Sequence, residues 1–228
     1  LTVAGGKPME PALFQVLAAL AEEGGLARLT WQDQAGEGQS ITRRPPALPM
    51  GRAQVVPPPG AFLQATAEGE AALLAAVRDV TAGAARIVDL FSGCGTFSLP
   101  LAETATVHAV EGLAAPLSAL DAGWRAAPGL NRVTTEIRDL ARRPMLADEL
   151  NRFDAIVIDP PRAGAEAQAR EIAASRIAKI AFVACDPVNF SRDAQLLAIG
   201  GFTLTRLWVV DQFRWSPHVE TVAEIRRR

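Results

Sequence analysis

From residue 87 onward, short apolar runs recur at 87–90, 106–110, 133–137, 155–158, 180–184 and 202–210, and Ala-rich stretches of helical character separate most of them. Strands alternating with helices at this spacing predict βαβ units and a mostly parallel, twisted sheet covered by helices on both faces. Ahead of them, Thr66 is placed to cap a helix over 67–81, with Glu68 and Glu70 in its first turn. Past Asp211 there is no room for another helix, so 219–225 is expected as a final strand, with antiparallel pairing one option.

Residues 1–60 follow another pattern. Residues 11–23 read as an amphipathic helix stopped by Gly24-Gly25, and 26–31 as a strand. Gly36, Gly38, Pro45, Pro46, Pro49 and Gly51 then mark a loop-rich stretch, and Pro57-Pro58-Pro59-Gly60 reads as a linker. The expectation is an α/β domain over 61–228 with a small α+β appendage over 1–60.

Composition narrows the function. The 228 residues are 49% hydrophobic, enough for a sizeable core, and no apolar run approaches the ~20 residues of a membrane span. Cys94 and Cys185 are too few for a disulfide framework or a Cys-based metal site, and His108 and His218 lack metal-ligand spacing. No signal pattern opens the chain, and a reducing cytoplasm is the default location. The net charge of −2 is not that of a basic nucleic-acid binder. The chain begins at Leu1, as a piece of a longer protein would.

The chemistry gathers where strands end. Asp89-Leu-Phe-Ser-Gly-Cys-Gly-Thr96 is a strand running into a glycine turn, with Gly93 and Gly95 free to bend towards a ligand. Glu111 ends the next strand, where a carboxylate meets the ribose hydroxyls of a nucleotide. The third glycine of a dinucleotide turn is missing, which argues against a nicotinamide-dependent oxidoreductase. Such an acid-led, glycine-poor turn resembles those of S-adenosylmethionine-dependent methyltransferases. Asp139 follows the third strand as either an adenine contact or a helix cap. Asp159-Pro-Pro-Arg162 ends the fourth strand, with Asp159 placed to accept from a base N–H.

Cys185 ends the fifth strand just ahead of a helix N-terminus, whose dipole favours a thiolate. The plainer alternative is a buried cysteine packing as a small hydrophobe. A thiolate has a use in carbon methylation: adding to C6 of uracil, it makes C5 nucleophilic, and a base must afterwards remove the C5 proton. Glu220 is the candidate base and His218 its rival.

Residues 89–98, 159–164, 184–193 and 218–222, in this order and spacing, resemble the RNA uracil-C5 methyltransferases, which form 5-methyluridine in ribosomal or transfer RNA. The resemblance covers about 60–228 and implies a Rossmann-like class I methyltransferase fold. It implies Cys185 as nucleophile and Glu220 as base. Gln64, Phe91, Gly93, Gly95, Thr96, Glu111, Asp139 and Asp159 would line the S-adenosylmethionine pocket. Phe62, Asp159 and Arg162 would meet the uracil, flipped from its stack. Ribosomal RNA is the better guess over transfer RNA, on the likeness of the C-terminal motifs.

The sequence departs from the family in three respects. Ala184-Cys185-Asp186-Pro187 replaces Ser-Cys-Asn-Pro, and Asp186 should oppose thiolate formation. Gln212, Arg214 and Ser216-Pro217 stand where the family often carries Met, Pro and Thr. Neither the family's RNA-binding barrel nor its Cys cluster for an iron–sulfur centre is in this stretch, leaving Arg43-Arg44, Arg142-Arg143 and Arg226-Arg227-Arg228 as candidate phosphate contacts. A non-catalytic RNA- or nucleotide-binding module is the remaining rival.

Overall fold

A computed structural model describes residues 1–213 and 215–228; of the departures from the family, Arg214 lies outside them. The larger unit is a seven-stranded sheet. Its strands are β6 (Arg86–Leu90), β7 (Thr106–Glu111), β8 (Val133–Ile137), β9 (Ala155–Ile158), β10 (Lys179–Ala184), β11 (Phe202–Val210) and β12 (Glu220–Arg227), in the order β11-β12-β10-β9-β6-β7-β8. β8, β7, β6, β9 and β10 pair in parallel, whereas β12 pairs antiparallel with both β10 and β11.

Burial explains why these strands read as continuous apolar runs. The central strands are covered on both faces, so both parities of residue must be apolar. Ile87, Val107, Val157, Val183 and Val222 face one core layer, together with Leu73 and Val77 of α2 (Ala67–Thr81) and Leu120 of α4 (Ala114–Ala126). Val88, Val110, Ile156, Phe182 and Ile225 face the other, with Ile172 of α6 (Glu166–Ala174) and Leu197 of α7 (Pro187–Ile199). Two short helices, α3 (Ser98–Leu101) and α5 (Ala147–Leu150), complete the set. The cap expected at Thr66 forms: its hydroxyl oxygen accepts from the Gly69 N–H at 2.9 Å.

The N-terminal residues hold more strand than their composition suggested. β1 (Thr2–Gly6), β2 (Arg28–Asp33) and β3 (Gly38–Thr42) form a second sheet beside α1 (Pro11–Glu23), and Leu17, Ala21 and Leu29 make its core. The stretch expected as loop contains β3 and a hairpin of β4 (Leu48–Met50) and β5 (Ala53–Val55). β3 escaped notice because it is largely exposed and needs no apolar alternation. It is set by a turn in which Asp33 Oδ1 accepts from the N–H groups of Ala35 and Glu37. Met50, Ala53 and Val55 join the core of the larger unit.

The strand order reverses between β6 and β9, each of which continues the sheet in an opposite direction. Open α/β sheets bind ligands at the carboxyl ends of the strands flanking such a switch point. Among the described residues no helix is long and apolar enough to cross a membrane.

Candidate active site

At the end of β6 the chain turns sharply. Phe91 takes a left-handed backbone (φ 63°), uncommon for a bulky side chain and characteristic of strained functional turns. Gly93 (φ 54°) follows, and a Cβ there would meet nothing within 4 Å, so its backbone borders open space. Gly95 (φ 98°) is required for packing as well, because a Cβ would press on Leu120 and Leu99 at 2.9–3.0 Å. Thr96 lies half-buried beside it.

Glu111, at the end of β7, braces this turn. Its Oε2 accepts from the Gly93 N–H and its Oε1 from the Leu113 N–H, each at 3.1 Å. Asp139 lies alongside, its backbone 3.9 Å from the Cβ position of Gly112. The exposed Asp139 carboxylate accepts from the N–H groups of Ala141 and Arg142, so the turn-capping alternative describes its present contacts. Asp89 is fully buried; Ser98 Oγ donates to its Oδ2 at 2.6 Å, while Oδ1 has no partner. Burial pushes its carboxyl up to about 7, against the Ser98 hydrogen bond.

The other half of the site is built by β9, β10 and β12. Asp159 follows β9 and its carboxyl is pushed up to about 8, first by burial and then by the charges of Glu220 and Asp89. Both influences favour the protonated form, in which the group would offer an O–H to a base rather than accept from one. Cys185 follows β10, partly exposed, ahead of α7. Because β12 runs antiparallel, Ala184 pairs with Thr221, which brings Glu220 level with Cys185. Glu220 is only 3% exposed, and burial raises its carboxyl while Gln212 and Arg162 favour the charged form.

The thiolate expected at Cys185 is not favoured in this state. Burial raises the thiol, the charges of Glu220 and Asp159 raise it further, and Arg162 works the other way. The opposition expected from Asp186 therefore comes from other residues. Asp186 instead caps α7, its Oδ1 accepting from the N–H groups of Val188 and Asn189 at 3.0 and 2.9 Å.

Arg162 stands on the loop after Pro160-Pro161, and α7 holds that loop. Asn189 Nδ2 donates to the Arg162 carbonyl at 2.7 Å, and the buried Asp193 accepts from the Ala165 N–H at 2.6 Å. Arg192 donates to the Ala163 carbonyl and to Asp193 Oδ1. A cleft opens between this loop and the first turn of α7, lined by Pro160, Pro161, Arg162, Cys185, Asn189 and Phe190.

The remaining expected residues are less engaged. Gln64 accepts from Gln212 Nε2 at 2.7 Å, and the Phe62 ring is 80% exposed. His218 is exposed, with its ring edge-on to Phe213. Gln212, Thr221, Asn189 and Asp193 were not anticipated in the site. Only Gln212 carried a signal, as a departure from the family's usual Met.

The chain is similar to RNA methyltransferases throughout. A profile of the tRNA (Uracil-5-)-methyltransferase family matches residues 124–228. An uncharacterized RNA methyltransferase of Mesorhizobium japonicum is 50% identical over 199 residues, covering 87% of this chain and 47% of that protein. The 23S rRNA (uracil(1939)-C(5))-methyltransferase RlmD of Chromohalobacter salexigens is 36% identical over 172 residues, covering 74% and 35%. The chain thus spans about half the length, or less, of these relatives. Among solved structures, the Pyrococcus abyssi tRNA (uracil-54, C5)-methyltransferase in complex with S-adenosyl-L-homocysteine superimposes with a TM-score of 0.78. At 19% identity over 98% of this chain and 54% of that one, it shows the shared fold. The fold is that of the S-adenosylmethionine-dependent methyltransferases, and residues 124–228 resemble the tRNA (Uracil-5-)-methyltransferase family.

Proposed function

We propose that this chain is the catalytic part of an RNA methyltransferase that places a methyl group on C5 of a uridine, with S-adenosylmethionine as the donor. The observation that carries this reading is the convergence of Cys185, Glu220 and Arg162, whose charges bear on one another at the carboxyl ends of β9 and β10. A nicotinamide enzyme has no use for that trio.

The turn after β6 fits the donor. Open space beside Gly93, the unpartnered Oδ1 of Asp89 and a Glu111 fixed by two backbone N–H groups form a polar cradle for a nucleoside. Phe91, Gly95, Thr96, Asp139 and Gln64 complete our assignment. S-adenosylmethionine, when bound, supplies an electrophilic methyl group.

The chain's own residues then act on the uracil. The partly exposed Cys185 thiol gives its proton to solvent, and the sulfur forms a bond to C6; the displaced electron pair moves through C5 onto O4. Asp159, protonated, donates a hydrogen bond to that oxygen, and Arg162 favours the negative charge. The electron pair at C5 would then accept the electrophilic methyl group that the bound donor supplies. Glu220 removes the C5 proton, the pair left behind re-forms the C5–C6 double bond, and the thiolate departs. Phe62, exposed beside the Gln64 segment, is offered as a wall for the flipped base.

Ribosomal RNA is the favoured substrate, because the relative whose name specifies 23S rRNA is nearer in sequence than the tRNA-modifying structure. The test is methyl transfer to unmodified ribosomal and transfer RNA by the wild type and Cys185→Ala, with calorimetry against S-adenosylmethionine and NAD. Binding of NAD alone, or transfer that survives Cys185→Ala, overturns the reading.

A further inference from the structure

Trp215 sits where a tryptophan is least expected. The Ser216 N–H donates to the Phe213 carbonyl at 3.1 Å, closing a turn whose third residue is Trp215, with φ 68°. Positive φ at that position favours glycine or asparagine and is strained for a bulky side chain. Packing does not offset the strain, because the indole is fully exposed. The other tryptophans are used internally. Trp31 Nε1 donates to the Lys7 carbonyl, Trp124 Nε1 donates to the Asn131 carbonyl, and Trp208 lies under the Arg206 guanidinium at 4.7 Å. The loop that presents Trp215 is fixed on both sides. Gln212 Nε2 donates to Gln64 Oε1 at 2.7 Å, the His218 N–H donates to Ser216 Oγ at 3.0 Å, and the Phe213 and His218 rings meet edge-on. A fixed loop that holds a large aromatic surface in water, on a strained backbone, points to a partner for that surface.

We propose that Trp215 is a stacking platform for a base of the RNA strand next to the target uridine. The proposal rests on the uridine-methylation reading of the site. The loop joins the end of β11 to the start of β12, where Val210 pairs with Glu220, so it stands at the same end of the sheet as Cys185. The Gln212–Gln64 bond ties it to the segment that carries the exposed Phe62. The target base must reach the partly exposed Cys185 and the buried Glu220, whereas Trp215 stands out in solvent. The base it meets is therefore a neighbour of the target. Flipping a uridine takes away that neighbour's stacking partner, and an indole face replaces it. The charges leave room for such a contact. Of the arginines expected at phosphates, Arg43 and Arg44 bond the carbonyls of Ala21 and Gly25, and Arg226 pairs with Glu224. Arg227 bonds the carbonyls of Gly200 and Ala173. With these engaged and a net charge of −2, part of the affinity for a strand has to come from stacking.

The probe is a single-stranded RNA oligomer with one central uridine, used intact or with an abasic residue on one side or the other of that uridine. Trp215→Gly relieves the backbone, so it should keep the wild-type thermal midpoint while its affinity for the intact oligomer falls about ten-fold. Trp215→Phe, which keeps a smaller ring, should lose less. One of the two abasic oligomers should bind the wild type about ten-fold more weakly than the intact one. The same oligomer should bind Trp215→Gly as well as the intact one does, since both changes remove one contact. The salt dependence of binding should be the same for wild type and variant, because no phosphate contact is removed. Undiminished affinity in Trp215→Gly, or losses that add in full for both abasic oligomers, overturns the proposal. So does a wild-type dimer in sedimentation that Trp215→Gly abolishes, which would make the indole a contact between copies. Placing 5-fluorouridine at the central position separates the proposal from the reading beneath it. A covalent adduct that forms in wild type and Trp215→Gly with equal half-saturation overturns the stacking role alone. Non-additive losses on one abasic oligomer, without an adduct in the wild type, support the platform and overturn the uridine chemistry.

Discussion

Thr221 donates its hydroxyl hydrogen bond to the Ala184 carbonyl at 3.1 Å, across the register pair that joins β12 to β10. The residues one step beyond each partner are Glu220 and Cys185. The bond thus locks the ends of two antiparallel strands where the proposed base and nucleophile must stay level. Thr221→Val keeps the β-branched shape and removes the donor. It should cost about 1 kcal/mol of stability. Because small displacements of reacting groups are costly, turnover should fall about ten-fold. S-adenosylmethionine affinity should be unchanged. Denaturant melts, single-turnover methylation and calorimetry check the three parts, and a loss of donor affinity would show that the bond supports the whole site.

The raised carboxyls make a prediction about pH. Asp89 and Asp159 go from 3.8 to about 7 and about 8 on folding. Between these values the native chain holds protons that the unfolded chain has released. Stability contributed by the two groups is therefore complete below about pH 4 and is lost as pH rises through about 8. Glu149, Asp154 and Glu224 are lowered, and their effect falls below that window with the opposite sign. The urea midpoint of the ligand-free chain should be lower at about pH 9 than at about pH 5, and Asp159→Asn should flatten the difference. A midpoint that rises across this range would mean that both carboxyls are ionised at neutral pH.

Much of this geometry is legible in the chain because strand ends are marked twice. Asp89, Glu111, Asp159 and Cys185 each close an apolar run and open a turn, so their common level follows once the sheet is parallel. Glu220 could be read only with β12 reversed, since a parallel last strand would carry it to the opposite end of the sheet. The charge state at Cys185 was not legible. It depends on Glu220 and Asp159 facing one sulfur, which no local pattern records. The contact from Gln212 to Gln64 spans 148 residues and leaves no periodic trace. The strands between 38 and 55 were missed because β3 is exposed and β4 and β5 are each three residues long.

Glu111 should matter to donor binding in two ways. Its carboxylate is proposed to meet the ribose, and it also restrains the Gly93 and Leu113 N–H groups. A charged hydrogen bond is worth roughly 1.5–3 kcal/mol. Glu111→Ala should then weaken S-adenosylmethionine by about ten-fold or more. Calorimetry with unchanged affinity would remove Glu111 from the pocket.

Asp193 ties α7 to the loop that carries Arg162. Asp193→Asn leaves one buried oxygen to serve both the Ala165 N–H and Arg192 and introduces donors beside them. The change should cost about 1–3 kcal/mol. Since the loop loses its anchor, the rate of Cys185 alkylation should rise or fall with Arg162 mobility, whereas affinity for S-adenosylmethionine should hold. Melts and iodoacetamide kinetics test this, and wild-type behaviour in both would make the anchor redundant with Asn189.

The sharpest consequence concerns the order of events at Cys185 and Glu220. If sulfur adds to C6 before the methyl group arrives, Cys185→Ala should lose both turnover and any covalent RNA complex. Glu220 acts afterwards, on the C5 proton. Without a base there, the C5–H bond persists, the thiolate cannot leave, and enzyme stays joined to methylated RNA. Glu220→Gln should therefore lose turnover while accumulating a covalent species on a denaturing gel with labelled RNA. RNA containing 5-fluorouridine should trap the wild type in the same way, since fluorine does not leave as a cation. A band with Cys185→Ala would exclude it as sole nucleophile. Trapping by His218→Gln rather than Glu220→Gln would move the base to His218, against its exposure and the burial of Glu220. If neither Glu220→Gln nor the fluorinated RNA gives a band, in a preparation that methylates uridine, the covalent route is wrong.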